Sequence, residues 1–172
     1  MKLMEKDDGD IIRGLGFVTL YSAYLEEHID ALLSLLEHIE KYGEDKQRWP
    51  ISSKIRHAKK VLSSIDNNEF PELKPNLDIC LSLFEHRNEL IHGRIYSNYP
   101  RQRSILKSGR PNIPDREVDS AELYKLANGF DNLKVAIYRP TIFKIPRAIN
   151  SYLKQQVGKH KTENRKQETK NA

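Results

Sequence analysis

Cys80 is the chain's one cysteine among 172 residues, so no intramolecular disulfide can form, and a reducing, cytoplasmic setting is expected. No apolar run approaches the ~20 residues that cross a bilayer, and no basic-then-apolar leader opens the chain at Met1-Lys2-Leu3-Met4-Glu5-Lys6. No membrane association is therefore expected. A Gly-x-x-x-x-Gly-Lys-Ser/Thr loop is absent, and Gly14-Leu15-Gly16 stands where a helix begins, not after a strand. Nucleoside-triphosphate chemistry and dinucleotide binding have no support. His28, His38, His57, His86, His92 and His160 show no His-x-x-x-His spacing and Cys-x-x-Cys is missing, so neither a metal nor another cofactor is expected. Strand-rich blocks and solenoid-length repeats are also lacking.

What the chain does have is amphipathic helix. Leu15, Val18, Ser22, Leu25, Ile29, Leu32, Leu36 and Ile39 recur at steps of three and four, with Phe17, Leu20, Tyr21 and Tyr24 widening the apolar face. Gly43 is expected to stop this helix in a left-handed conformation. Ile51, Ile55, Ala58, Leu62 and Ile65 predict a second helix after Pro50. Leu77, Cys80, Leu81, Phe84 and Ile91 predict a third between Pro75 and a capping Gly93. Cys80 lies on that stripe and reads as a core residue. A fourth helix runs from an Asp119/Glu122 capping pair through Leu123, Leu126, Phe130, Leu133 and Ile137 to Pro140. A shorter piece around Ala148, Ile149, Tyr152 and Leu153 follows. The expected fold is an all-α antiparallel bundle of four to five helices over 1–153, with a polar, basic, flexible tail over 154–172. Within the 93–118 connection, Arg94-Ile95-Tyr96 and Ser104-Ile105-Leu106 are candidates for a short hairpin.

The net charge of +5 is unevenly placed. The tail holds six basic residues against Glu163 and Glu168, and Leu90–Pro114 carries Arg94, Arg101, Arg103, Lys107 and Arg110 with no acidic residue. What remains is mildly acidic, so one internal segment is positive on an otherwise negative body.

Directly before that segment stands Phe84-Glu85-His86-Arg87-Asn88-Glu89-Leu90-Ile91-His92-Gly93. At about 100° per residue Glu85, Asn88 and His92 share one helical face, while Arg87 lies about 140° from His92. Glu85 and His86 read as solvated or as supporting the motif from behind. Arg87 can reach the same groove by curling its long side chain, or can meet the histidine of a second copy across a two-fold axis.

Arg87-Asn88-x-x-x-His92 resembles the Arg-x4-6-His signature of HEPN domains, with its polar residue directly after the arginine. The order of a long first helix, a second helix and a motif-bearing third over residues 11 to 140 is also similar to that family. The resemblance implies an all-α domain that dimerises so that two motifs line one cleft and cut RNA without metal. It further implies a toxin or antiviral defence effector, with an antitoxin protein as partner. Arg87 and His92 are then the catalytic pair and Asn88 the residue that orients one of them. One position departs: members controlled by a nucleotidyltransferase antitoxin carry tyrosine two places after the histidine, where this chain has Arg94, and Tyr96 comes two places too late.

The chemistry stands apart from the name. RNA supplies its own nucleophile, the 2′-hydroxyl, so cleavage needs a proton carrier near neutral pH and a permanent cation on the phosphorane-like transition state. Imidazole and guanidinium meet those needs. Arg94, Arg101, Arg103 and Lys107 are placed to guide the strand, with Tyr96 and Tyr99 to stack unpaired bases. The competing reading is a non-catalytic helical module that binds nucleotide, RNA or a protein partner through the same groove.

Overall fold

The structure, a computed structural model, describes residues 10–65, 68, 70–96, 104–108 and 113–168, with side chains described as far as residue 158. It is an all-α bundle carrying one small sheet. The order is α1 (Ile11–Leu36), α2 (Glu44–Gln47), α3 (Ile51–Leu62), α4 (Leu73–His92), β1 (Arg94–Tyr96), β2 (Ser104–Lys107), β3 (Arg116–Val118), α5 (Ser120–Phe143) and α6 (Ile145–Glu168).

Asp10 starts α1 by accepting a hydrogen bond from the Arg13 amide at 3.1 Å, the usual role of a short acidic side chain before a helix. Val18, Leu25, Ile29, Leu32 and Leu36 are buried as the period requires. α1 packs most extensively on α5, then on α3 and α4, which makes it the central helix. The α1–α5 approach is close because Gly14 has no side chain: a Cβ there would lie 2.8 Å from Leu123 Cβ.

Several helix ends differ from the sequence pattern, among them that of α3, which stops at Leu62 before Ile65. α1 stops at Leu36, because the chain turns back until the buried Tyr42 donates its hydroxyl hydrogen to Asp30 Oδ1 at 3.0 Å. Gly43 instead precedes α2 in extended backbone. α4 begins at Leu73 with Pro75 inside its first turn, where a missing N–H costs no helical hydrogen bond. α5 runs past Pro140 to Phe143, with the Lys144 amide donating to Pro140 O at 3.0 Å. The expected short final piece is a 24-residue helix, α6, that passes through position 154 without a break. Ile145 and Ile149 anchor it, while Leu153 and Val157 are exposed.

The expected hairpin is present, with β1 antiparallel to β2 in the register Arg94↔Lys107, Ile95↔Leu106, Tyr96↔Ile105. β3, which the sequence reading did not anticipate, extends it to a three-stranded meander through Leu106↔Arg116 and Ser104↔Val118. Leu106 and Val118 are buried, so the core continues from the bundle into the sheet. On α4 this shifts the buried position from Ile91, which is exposed, to Leu90. Cys80 is fully buried, and burial pushes its thiol up to about 12. Among the described residues no helix is long and apolar enough to cross a membrane.

Candidate functional site

The last two turns of α4 carry Arg87, Asn88 and His92, and the sheet begins two residues later. Arg87 is half-buried, and its Nη1 donates to Asn88 Oδ1 at 3.0 Å. Its Nε is buried without a hydrogen-bond partner, and among the described residues no carboxylate pairs with the guanidinium. Among the described residues, then, no ion pair compensates the charge of Arg87. His92 is the final helical residue and is exposed; no hydrogen bond joins it to Arg87 or Asn88. The structure thus brings together the first two of the three candidate catalytic residues and leaves the third to face solvent.

Directly after His92, Gly93 is clamped. Its amide donates to Glu89 O at 3.0 Å, and a Cβ on it would overlap the Leu106 side chain and lie 3.2 Å from Lys107 O. β1 and β2 then present Arg94 and Lys107 as direct cross-strand partners, both exposed. Like charges facing one another weaken a sheet, so this pair is a local cost that an anion offsets. Lys107 Nζ lies 5.2 Å from the ring centre of Tyr96, which is itself exposed. Tyr99, Arg101 and Arg103 lie outside the described residues. A groove of about 600 Å³ with mixed polar and apolar walls adjoins the site, lined by Asp10, Ile11, Leu15, Ile91, Ile95 and Ser104 among others.

A second polar cluster sits beside the motif, and its residues were not among the sequence candidates. Arg116 donates from Nε to Glu89 Oε1 at 2.7 Å, and from Nη1 and Nη2 to the two Glu122 oxygens at 2.8 and 2.7 Å. His86, read from the sequence as either solvated or supporting the motif from behind, is partly buried with Nε2 2.6 Å from Glu122 Oε1 and 3.4 Å from Arg116 Nη2. Burial alone pushes the Glu122 carboxyl up, but hydrogen bonds from Arg116 and His86 outweigh it and hold the group below the usual carboxylate range. Arg116 is held above its ordinary value, chiefly by Glu122 and then by Glu89.

This cluster also pairs a histidine with an arginine, but two carboxylates already neutralise the cation, so it does not attract phosphate. Of the two arginines, only Arg87 has charge to offer an anion. The sequence held one trace of the cluster, the Asp119-x-x-Glu122 cap: Asp119 Oδ1 accepts from the Glu122 amide at 2.9 Å. Glu122's own side chain turns instead to Arg116 and His86. Among the described residues no group of three or more His, Cys, Asp or Glu side chains is arranged to hold a metal.

Fold and site together define a helical bundle whose motif helix ends on a basic β-meander. No protein-family model, curated protein or solved structure matches the chain.

Proposed function

We propose that this protein is a metal-independent endoribonuclease of HEPN type, acting as a homodimer. In this reading His92 carries the proton, Arg87 stabilises the charge that builds on the scissile phosphate, and Asn88 orients Arg87. The ribose 2′-hydroxyl attacks the adjacent phosphorus, a cyclic phosphate forms, and the 5′-oxygen leaves with a proton. Arg94, Lys107 and Tyr96 hold the strand. A toxin or abortive-infection effector, restrained by an antitoxin protein, is the setting that suits such an activity.

The observation that carries the reading is the contrast between the two arginines: Arg116 is locked by two carboxylates, whereas among the described residues Arg87 has only Asn88 and an unmet N–H. A buried donor without a partner is costly, and an anionic ligand that reorders the guanidinium removes that cost.

The test is incubation of single-stranded RNA with wild type, Arg87→Ala and His92→Ala in excess EDTA. Cleavage by wild type alone is expected. Cleavage that survives in either variant overturns the mechanism, and RNA binding without cleavage by wild type favours the binding module.

A further inference from the structure

The residues on either side of Arg87-Asn88 are His86 and Glu89, and both meet Arg116 on β3. We propose that Arg116 is a positioning residue for the end of α4: it fixes the rotation of the last turns and hence the directions of Arg87, Asn88 and His92. His86 and Glu89 are three residues apart, about 60° around the helix, so they present one face to the same guanidinium. A single attachment leaves a helix end free to swivel, whereas two attachments a turn apart do not.

The guanidinium suits the task because its fork reaches three carboxylate oxygens at once, two on Glu122 and one on Glu89. Arg116 thereby ties three elements together: β3 through its own backbone, α4 through Glu89 and His86, and the first turn of α5 through Glu122. A second constraint acts from the other side of His92. Arg116 is the ladder partner of Leu106, and the Leu106 side chain occupies the space a Gly93 Cβ would need. β2 and β3 therefore fix the residue after His92 as well as those before it.

The proposal rests on the ribonuclease reading only for its kinetic readout. The experiment uses the full chain as Arg116→Lys, which keeps the charge but loses the fork, Arg116→Met, and Glu122→Gln. All are examined well below their melting temperatures, where the folded fraction equals that of wild type. The His92 ring and Asn88 side-chain amide resonances are expected to move in Arg116→Met and, less, in Arg116→Lys. For RNA cleavage in EDTA, kcat is expected to fall about tenfold or more in Arg116→Met while KM changes by less than about twofold, the pattern of a misdirected group rather than of lost binding.

A lowered melting temperature with unchanged His92 and Asn88 resonances overturns the proposal, because it leaves Arg116 a purely structural role. Where Arg116→Met fails to fold, Arg116→Lys and Glu122→Gln decide by the same resonances. Wild type that cleaves no RNA sinks the ribonuclease reading alone; the resonances still decide the positioning claim.

Discussion

At Gly93 the backbone is extended, with φ −79° and ψ 170°, a conformation any residue adopts, so the need for glycine there is one of space. An alanine Cβ would overlap Leu106 and lie 2.9 Å from Glu89 O and 3.2 Å from Lys107 O. Two of those three neighbours are backbone oxygens that cannot rotate away. Gly93→Ala is expected to destabilise the fold by about 1–3 kcal/mol in urea denaturation. Leu106→Ala should cost a similar amount by leaving a cavity, yet the double variant should lose less than the sum, because each change relieves the other. Strict additivity would show that the two residues do not touch. The sequence marked this glycine as the cap of α4, and it is the C-cap residue, but the close approach of Leu106 was not legible there because it comes from β2, thirteen residues on. Arg87, Asn88 and His92 were legible because their spacing lies along one helix. Arg116 was not: its partners His86 and Glu89 are 30 and 27 residues away, and they meet it through a strand too short to have a period.

The turn from α1 into α3 shows how an element's boundary is set by what it packs against. His57 of α3 lies between the rings of Tyr42 and Trp49, with Nε2 3.5 Å from Lys46 Nζ and Nδ1 3.7 Å from Glu40 Oε1. Burial first, then Lys46, lowers its pKa from 6.5, while Glu40 pulls the other way. The folded state therefore prefers neutral imidazole, whereas the unfolded chain takes up a proton near pH 6.5. Stability is full above that pH and declines as the pH falls below it toward the folded value. Urea denaturation from pH 7.5 to 5.5 should show this decline, and His57→Phe, which keeps a ring between Tyr42 and Trp49, should remove part of the slope. His28, shifted down by burial in the same way, adds to the slope in the same direction. Glu122, whose pKa is lowered from 4.5, acts in a separate window, its contribution being lost only below about that pH. A slope unchanged in His57→Phe would remove His57 from this account. Long periodic helices were read directly from the sequence, and the hairpin from its β-branched and aromatic residues. β3 is three residues, Arg116-Glu117-Val118, and takes its shape from β2 and not from its own composition. α6 eluded the pattern for the opposite reason: helical hydrogen bonding continues where the apolar stripe stops. Removing residues 159–172 should accordingly shift the melting temperature by no more than about 2 °C, since Leu153 and Val157, on the turns before the cut, are already exposed.

For the molecule as a whole, the decisive geometry is the angle of about 140° between Arg87 and His92 on one helix. A cleft that uses both is most simply made from two chains, each giving its arginine to the other's histidine. A solution mass of twice 20.0 kDa is then expected, and specific activity should fall when the protein is diluted below its dimerisation constant. Mixing two dead variants makes a sharper test. Suppose Arg87→Ala and His92→Ala chains are combined in equal amounts and allowed to exchange. About half of the dimers are then mixed, and each mixed dimer has one site with both residues removed and one with both intact. Roughly a quarter of wild-type activity should return. If arginine and histidine of the same chain form the site, every site in the mixture lacks one of them and no activity returns. The same silence follows if all four side chains of a dimer are needed at once, and the two cases part in a dimer of one wild-type chain with one double variant. A site within one chain leaves that dimer half active, whereas one shared between chains leaves it inactive.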